Sequence, residues 1–336
     1  MPVSIKDIAQ AANVTPGTVS RALRDSPRVN AETKKRIQRL ADEMGYSPDA
    51  QARSLVLGRT QTVGVVVTTM TDPFIGAIVQ TIESAAHEHG YTVILASSND
   101  EPEREIAAVE MLQSRRVDGL IVTSSRVGAL YQERLEQLRV PVVFMNSLAD
   151  HSGRQTFSMG VDNRHGGYLA TNHLIQKGHR RIAYVASPSD RSDSVERMTG
   201  YRDALTEAGI GFDPSLVVQG TGRAGGGQRA LPLLLPLDDA PTAVFCYNDM
   251  TAIGLMDAAR EAGLSLPQDL AIVGFDDIAF ARFTHPRLTT IAQPVGRLGR
   301  RAVDMVLALL SDGDHSELPA TDVKICGRLI VRASSG

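Results

Sequence analysis

Arg21 carries the most specific chemistry the sequence offers. A guanidinium is a planar fork of donors that grips a carboxylate, a phosphate or a base edge through two bonds at once. Arg21 stands in the stretch SIKDIAQAANVTPGTVSRALRDS, where two short helices are predicted around a tight turn. Ser4 suits the cap of a first helix whose apolar face is Ile5, Ile8, Ala9 and Ala12, at helical spacings. Asn13 tolerates left-handed backbone and fits the turn. Thr15 caps a second helix with Pro16 at its first position, where the missing N–H costs least. Val19, Ala22 and Leu23 form that helix's buried face and leave Arg21 on another, with Gly17, Thr18 and Arg24 nearby. A third helix, from about 31 to 44, buries Ile37, Leu40 and Met44 and ends before Gly45. The pattern predicts a small all-α helix-turn-helix domain over residues 1–46.

Other chemistries have weaker support. The chain has no nucleophile elbow, no HExxH and no Cys/His cluster at metal spacing. Cys246 and Cys326 stand far apart, and the eight histidines are scattered; His87, His89 and His179 sit at predicted surface positions. The segment GTGRAGGGQRA (220–230) is glycine-rich but lacks Gly-Lys-Ser/Thr and the dinucleotide spacing, which argues against a phosphate cradle. Neither an enzyme nor a cofactor or metal protein is expected.

Charge is distributed unevenly. Residues 1–60 hold ten Lys/Arg against six Asp/Glu, a balance of +4, and the remainder holds 25 against 32, a balance of −7. A basic head on an acidic body fits nucleic-acid binding by the head. Hydrophobic residues make up 43% of the 336, enough for sizeable cores, and the length predicts more than one domain. No run approaches the roughly 18 apolar residues of a membrane span, and the N-terminus lacks a charged-then-apolar leader pattern. A reduced, cytoplasmic protein is expected.

From Thr62 the chain alternates apolar strands with amphipathic helices. Strands are predicted at 62–68, 92–98, 119–125 and 140–146, then at 181–187, 216–220, 243–249 and 270–276. Most are continuous apolar runs, as strands covered on both faces are. Helices are predicted at Pro73–His89, Gly166–Lys177 and Val295–Leu310, and a last strand at 323–332. Two sets of βαβ units imply two lobes, about 61–161 plus 293–321 and about 163–291 plus 323–336, with crossovers near Asp162, Ala292 and Asp322. Ligands of open parallel sheets bind beyond the carboxyl ends of the strands, which here would line a shared cleft.

The phrases IKDIAQAANVTPGTVSRAL and GYSPDAQARSL closely resemble the N-terminus of the LacI/GalR family of bacterial transcription regulators. TDPF (71–74), SRRVDGLI (114–121), ERMTGY (196–201), YND (247–249), VGFDD (273–277) and TTIAQP (289–294) resemble that family's effector-binding core and the periplasmic sugar-binding proteins. The likeness spans nearly the whole chain. It implies that the second helix enters the major groove, with base edges met by Pro16, Gly17 and Arg21. Pro16 and Gly17 bring no side-chain donors, so hydrogen-bonding readout falls to Arg21, which suits guanine O6 and N7. Thr15, Thr18 and Asn30 are implied phosphate contacts. Residues 47–60 are implied to form a hinge helix that folds on DNA, with Arg53 beside the duplex and Leu55 wedged into the minor groove.

For the core, the resemblance implies effector contacts from Asp72 and Phe74 in the first lobe, Arg197, Asn248 and Asp276 in the second, and Gln293 at a crossover, with Asn146 and Asp162 as further strand-end candidates. Carboxylates, amides and a guanidinium suit vicinal hydroxyls, and Phe74 offers a face to a sugar's C–H side. Relatives commonly carry asparagine where Asp72 stands, an exchange that removes a donor. The reading is a sequence-specific DNA-binding repressor, homodimeric through the helix at 73–89 and the strand at 92–98. A sugar, polyol or sugar acid between the lobes would control its operator affinity. A sugar-binding transport protein and a nucleobase-responsive regulator of the same family stand as alternatives.

Overall fold

The computed structural model describes residues 3–46, 58–125, 140–146, 156–187, 192–237, 239–311 and 322–336. The predicted hinge helix, with Arg53 and Leu55, lies outside the described residues. The chain divides into two compact units, Met1–Thr60 and Gln61–Gly336.

Among the described residues the first unit has three helices, α1 (Ile5–Ala11), α2 (Pro16–Leu23) and α3 (Ala31–Glu43). Each start has a local cause. The Ser4 N–H and hydroxyl both donate to Asp7 Oδ2 at 2.8 Å. Thr15 Oγ1 accepts from Thr18 N at 3.2 Å ahead of Pro16, and Asn30 Oδ1 accepts from Thr33 N at 2.8 Å. Asn13 takes φ +50°, the left-handed turn that its residue type allows. Ile8, Val19, Ala22 and Ile37 are fully buried at the centre, and each large side chain contributes about 2 kcal/mol. Leu23, Leu40 and Met44 only flank this core.

Among the described residues the second unit contains two six-stranded sheets. The first, in order β11-β5-β4-β3-β1-β2, comprises β1 (Thr62–Val67), β2 (Thr92–Ser97), β3 (Gly119–Thr123), β4 (Val142–Met145), β5 (Thr156–Val161) and β11 (Asp322–Ile325), all parallel. The second, in order β12-β10-β9-β8-β6-β7, comprises β6 (Ile182–Ala186), β7 (Val217–Gln219), β8 (Ala243–Cys246), β9 (Ala271–Asp276), β10 (Thr289–Ala292) and β12 (Arg328–Ile330). Only β12 runs antiparallel, against β10. Helices α4 (Pro73–Glu88), α5 (Pro102–Ser114) and α10 (Val295–Leu310) cover the first sheet. Helices α6 (Asn163–Gln176), α7 (Ser192–Glu207), α8 (Ala224–Leu234) and α9 (Asp249–Glu261) cover the second. With both faces covered, β3, β4, β6, β8 and β9 are buried along their whole length, which explains their unbroken apolar runs.

Three departures from the sequence reading have physical causes. β5 (TFSMGV) alternates polar and apolar residues, so it does not stand out as a continuous run. β10 begins with Thr289 and Thr290, both fully buried because their hydroxyls are bonded, Thr289 to the Arg332 carbonyl and Thr290 to Asp249. The expected last strand, 323–332, is two strands in different sheets, so the third crossover lies at Cys326–Gly327 rather than near Asp322. A Cβ on Gly327 would lie 3.0 Å from the Ala292 carbonyl, so glycine lets this crossover run against the one after β10.

Candidate functional site

On the first unit, Thr15, Pro16, Gly17 and Arg21 are exposed along the start of α2, and Thr18 is half-buried. A Cβ built on Gly17 would lie 3.7 Å from Arg21 Nη2 and 3.8 Å from Thr15 Oγ1, so the guanidinium lies beside the bare backbone of Gly17. Thr15 and Asn30 already cap helices through their side chains. Nearby cations also shape the fold. Lys34 Nζ bonds the Asp25 carboxylate at 2.6 Å, and Arg36 donates to the Ala12 carbonyl at 3.1 Å. Arg21 thus has an exposed, forward-placed fork on the unit's second helix.

In the second unit a cavity of about 370 Å3 opens between the lobes, just beyond the carboxyl ends of β1, β3, β4 and of β6 to β9. Asp72, Phe74, Asn146, Arg197, Asn248 and Asp276 line it. The other two projected contacts do not. Asp162 instead caps α6, its Oδ1 accepting from His165 N at 2.8 Å. Gln293 is buried and donates to Asp276 Oδ1 at 2.5 Å, so it contacts a lining residue rather than the cavity.

Arg197 is the pivot of the cleft. It is 3% exposed, with its guanidinium 3.6 Å from the Phe275 ring centroid and 4.5 Å from that of Tyr247. Its Nη1 donates to the Tyr247 carbonyl at 2.6 Å and its Nε to Asn163 Oδ1 at 3.0 Å, while Nη2 stands 3.9 Å from Asp276 Oδ1. Helix α6 comes this close to α7 because a Cβ on Gly167 would fall 2.4 Å from the Arg197 carbonyl. Burial pushes the Asp276 carboxyl well above the usual range, against the opposing pull of Arg197.

Several lining residues carry weight beyond the sequence reading. Asp193 Oδ2 accepts from the Tyr247 hydroxyl at 2.5 Å. Asp193 precedes Arg197 by one helical turn, a spacing visible in the sequence that would have paired them. Tyr247 sits inside the YND phrase. Asp100, Thr221 and Arg223 come from loops, where no periodicity marks them. The polar groups at the rim also build the fold: Asp72 Oδ1 caps α4 through Phe74 N at 2.9 Å, and Asn248 Oδ1 caps α9 through Thr251 N at 2.9 Å. Asn248 donates its amide to the Gly222 carbonyl at 2.8 Å, fixing the glycine-rich loop. The glycines of that segment serve close packing, since a Cβ on Gly227 would fall 1.9 Å from the Thr251 carbonyl. Asp249, next to Asn248, lies under the cleft; it accepts from the Thr290 hydroxyl at 2.5 Å and from Ile278 N at 2.9 Å, and burial pushes its carboxyl up to about 7.

Four acids and two arginines around one small cavity can orient a molecule rich in hydroxyls by accepting and donating at once. Residues 4–49 match the pattern described as bacterial regulatory proteins, lacI family, and residues 171–335 match a periplasmic binding protein-like domain. The HTH-type transcriptional repressor PurR of Vibrio atlanticus is 35% identical over 316 residues, 94% of each chain. The HTH-type transcriptional regulator GalR of Escherichia coli is 34% identical, covering 94% of this chain and 91% of GalR. The chain belongs to the LacI family. Among solved structures of that family, the Lac repressor dimer bound to operator and the anti-inducer ONPF superposes with a TM-score of 0.89 at 27% identity, covering 100% and 99% of the two chains. The regulator CelR in complex with cellobiose superposes with a TM-score of 0.74 at 30% identity, covering 99% of each. Like its LacI-family relatives, the chain is a helix-turn-helix transcriptional regulator of the repressor class rather than an enzyme. No helix among the described residues is long and apolar enough to cross a membrane.

Proposed function

We propose that the chain binds its operator as a homodimer and that a neutral polyol or sugar held in the interlobe cleft sets its operator affinity. The observation that carries this reading is the convergence of Asp72, Asn146, Arg197, Asn248 and Asp276 on one cavity of about 370 Å3. Arg197 and Asp276 supply a buried donor fork and an acceptor, and Phe74 supplies an apolar face for C–H groups. Tyr247, with the Arg197 guanidinium 4.5 Å from its ring centroid, lines the cavity with Phe74. The dense set of carboxylate, amide and guanidinium groups favours a ligand rich in hydroxyls.

On DNA, Arg21 reads a base edge, Thr15, Pro16, Gly17, Thr18 and Asn30 position the helix, and Arg53 and Leu55 act from the hinge. Self-association uses α4 and the edge strand β2, which is only partly buried in one chain. Closure of the lobes around the effector alters the spacing of the two heads. By linkage the effector's affinity changes on operator binding by the same factor as operator affinity changes on effector binding.

Thermal shift of the full chain against separate panels of sugars, sugar acids and nucleobases tests the effector class. A true effector at about 100 times its Kd stabilises by about 2.7 kcal/mol. A hit confined to nucleobases would replace the polyol reading with the nucleobase-responsive alternative, and one confined to sugar acids would show that the cleft takes an anion.

A further inference from the structure

Helix α10 begins with its charges the wrong way round. Arg297 lies in its first turn and Arg300 and Arg301 in the next, no acidic residue stands in the first turn, and no side chain caps the N-terminus. The positive end of a helix dipole disfavours cations there, and Arg297 with Arg301 places two like charges four residues apart on one face. Local rules broken in this way, without a compensating contact, mark functional positions. Arg300 does have its compensation, a two-pronged pair with Glu88 at 2.6 and 3.0 Å. Arg297 and Arg301 have no ion pair or side-chain hydrogen bond with the described residues.

Both arginines open into a trough of about 620 Å3, separate from the interlobe cleft and shared with Arg300, Asp304, Lys324 and Cys326. Lys324 lies on β11, the edge strand of the first sheet, and the chain passes from there to the second lobe at Cys326–Gly327. Its ammonium bonds Glu196 Oε1 at 2.9 Å. Glu196 belongs to α7 of the second lobe and directly precedes Arg197, so this ion pair ties the two lobes together beside a crossover. Among the described residues, the carboxylates at the trough are Asp304 within it and Glu88 and Glu196 at its cationic wall, and the latter two are engaged with Arg300 and Lys324. Two guanidinium forks are left over.

We propose that this trough is a second ligand site, for a small anion bearing two or more phosphate or carboxylate groups. Each fork matches either group two bonds at a time. A bound anion offsets the reversed charge at the start of α10 and competes with Glu196 for Lys324. Because that pair spans the lobes, occupation of the trough loosens one tie between them and feeds into the lobe movement that governs the DNA-binding head. The site stands independently of what the interlobe cleft binds.

Isothermal titration calorimetry of the full chain with pyrophosphate, and separately with citrate, at ionic strength held constant with chloride, tests the site. Saturable binding of one or both is expected, and the tighter of the two tells phosphate from carboxylate preference. The R297A/R301A double variant is expected to weaken it roughly tenfold or more, as loss of charge-assisted bonds does. Glu196→Gln is expected to tighten it severalfold by removing one competitor for Lys324, an effect that a lesion in folding would not produce. Absence of binding above the chloride control overturns the site. So does binding that persists in R297A/R301A, as it would if the basic head held the anion. An unchanged affinity in Glu196→Gln overturns the coupling to the lobes.

Discussion

Gln293 donates its amide to Asp276 Oδ1 at 2.5 Å while both side chains are buried, so the crossover after β10 holds the carboxylate that closes the floor of the cleft. Asp276 has φ +118°, a backbone state that a non-glycine residue holds only when its surroundings impose it. Gln293→Leu keeps the volume and removes the donor. Effector affinity is expected to fall by about 1 kcal/mol, roughly fivefold, as for one hydrogen bond lost. Titration calorimetry with an effector from the ligand panel measures it, and an unchanged Kd would show that Arg197 alone holds Asp276 in place.

Asp249 makes the second lobe sensitive to pH. Its folded carboxyl, pushed up to about 7 by burial, keeps a proton that the unfolded chain sheds near pH 4. Its contribution is therefore complete below about pH 4 and declines as pH rises through 7, and Asp276 acts in the same direction. His173 and His179, lowered by burial, act oppositely, gaining stability as pH rises through the unfolded histidine range. The difference between wild type and Asp249→Asn isolates the aspartate. The variant loses an acceptor for Ile278 N or for Thr290, so its baseline stability drops by about 1–3 kcal/mol. Its melting temperature should nevertheless fall less than that of wild type between pH 5 and 8, and parallel pH curves would assign the titration elsewhere.

The legible parts of this fold were those whose physics is local. Capping residues and the spacing of Ile8, Val19, Ala22 and Ile37 define the first unit, and unbroken apolar runs mark strands buried on both faces. β5 was hidden because Ser158 and Gly160 interrupt its buried Met159 and Val161, and β10 because it opens on Thr289 and Thr290, whose burial depends on partners far along the chain. The cleft followed the same division. Of the six projected contacts that line it, Asn146, Asn248 and Asp276 lie at strand ends and Asp72, Phe74 and Arg197 at or in the helices α4 and α7, whereas Asp100 and Arg223 reach it from loops. Asp162 and Gln293 sit at crossovers, where a side chain can turn toward a helix end or a neighbour as readily as toward the cavity.

Gly167 sets the position of Arg197. An added methyl would meet the Arg197 carbonyl at 2.4 Å and its Cα at 3.0 Å, contacts with backbone that cannot swing aside. Gly167→Ala is expected to push α7 away from α6 and destabilise the unit by about 1–3 kcal/mol, the usual cost of overpacking. The guanidinium would lose its place between Phe275 and Tyr247, so effector affinity should fall along with stability. Denaturant titration and calorimetry on the same variant check both, and a stable protein with normal effector binding would contradict the close-approach argument.

In the proposed reading of DNA, Arg21 offers a fork and Gly17 a bare backbone. The Arg21 guanidinium is exposed beside Gly17, and Pro16 and Gly17 have no side-chain donors to compete with it. Arg21→Ala is therefore expected to cost about 1–3 kcal/mol on the selected operator, the worth of one bidentate base contact. It should cost much less on unrelated DNA, where phosphate contacts supply the affinity. Gly17→Ala adds a methyl at ordinary contact distance from Arg21, 3.7 Å, so the fold should tolerate it while the approach to the base edge changes. Operator selection from a random library followed by binding titrations at fixed salt measures both variants. An equal loss for Arg21→Ala on every sequence would reduce Arg21 to a phosphate contact and leave base recognition to the hinge.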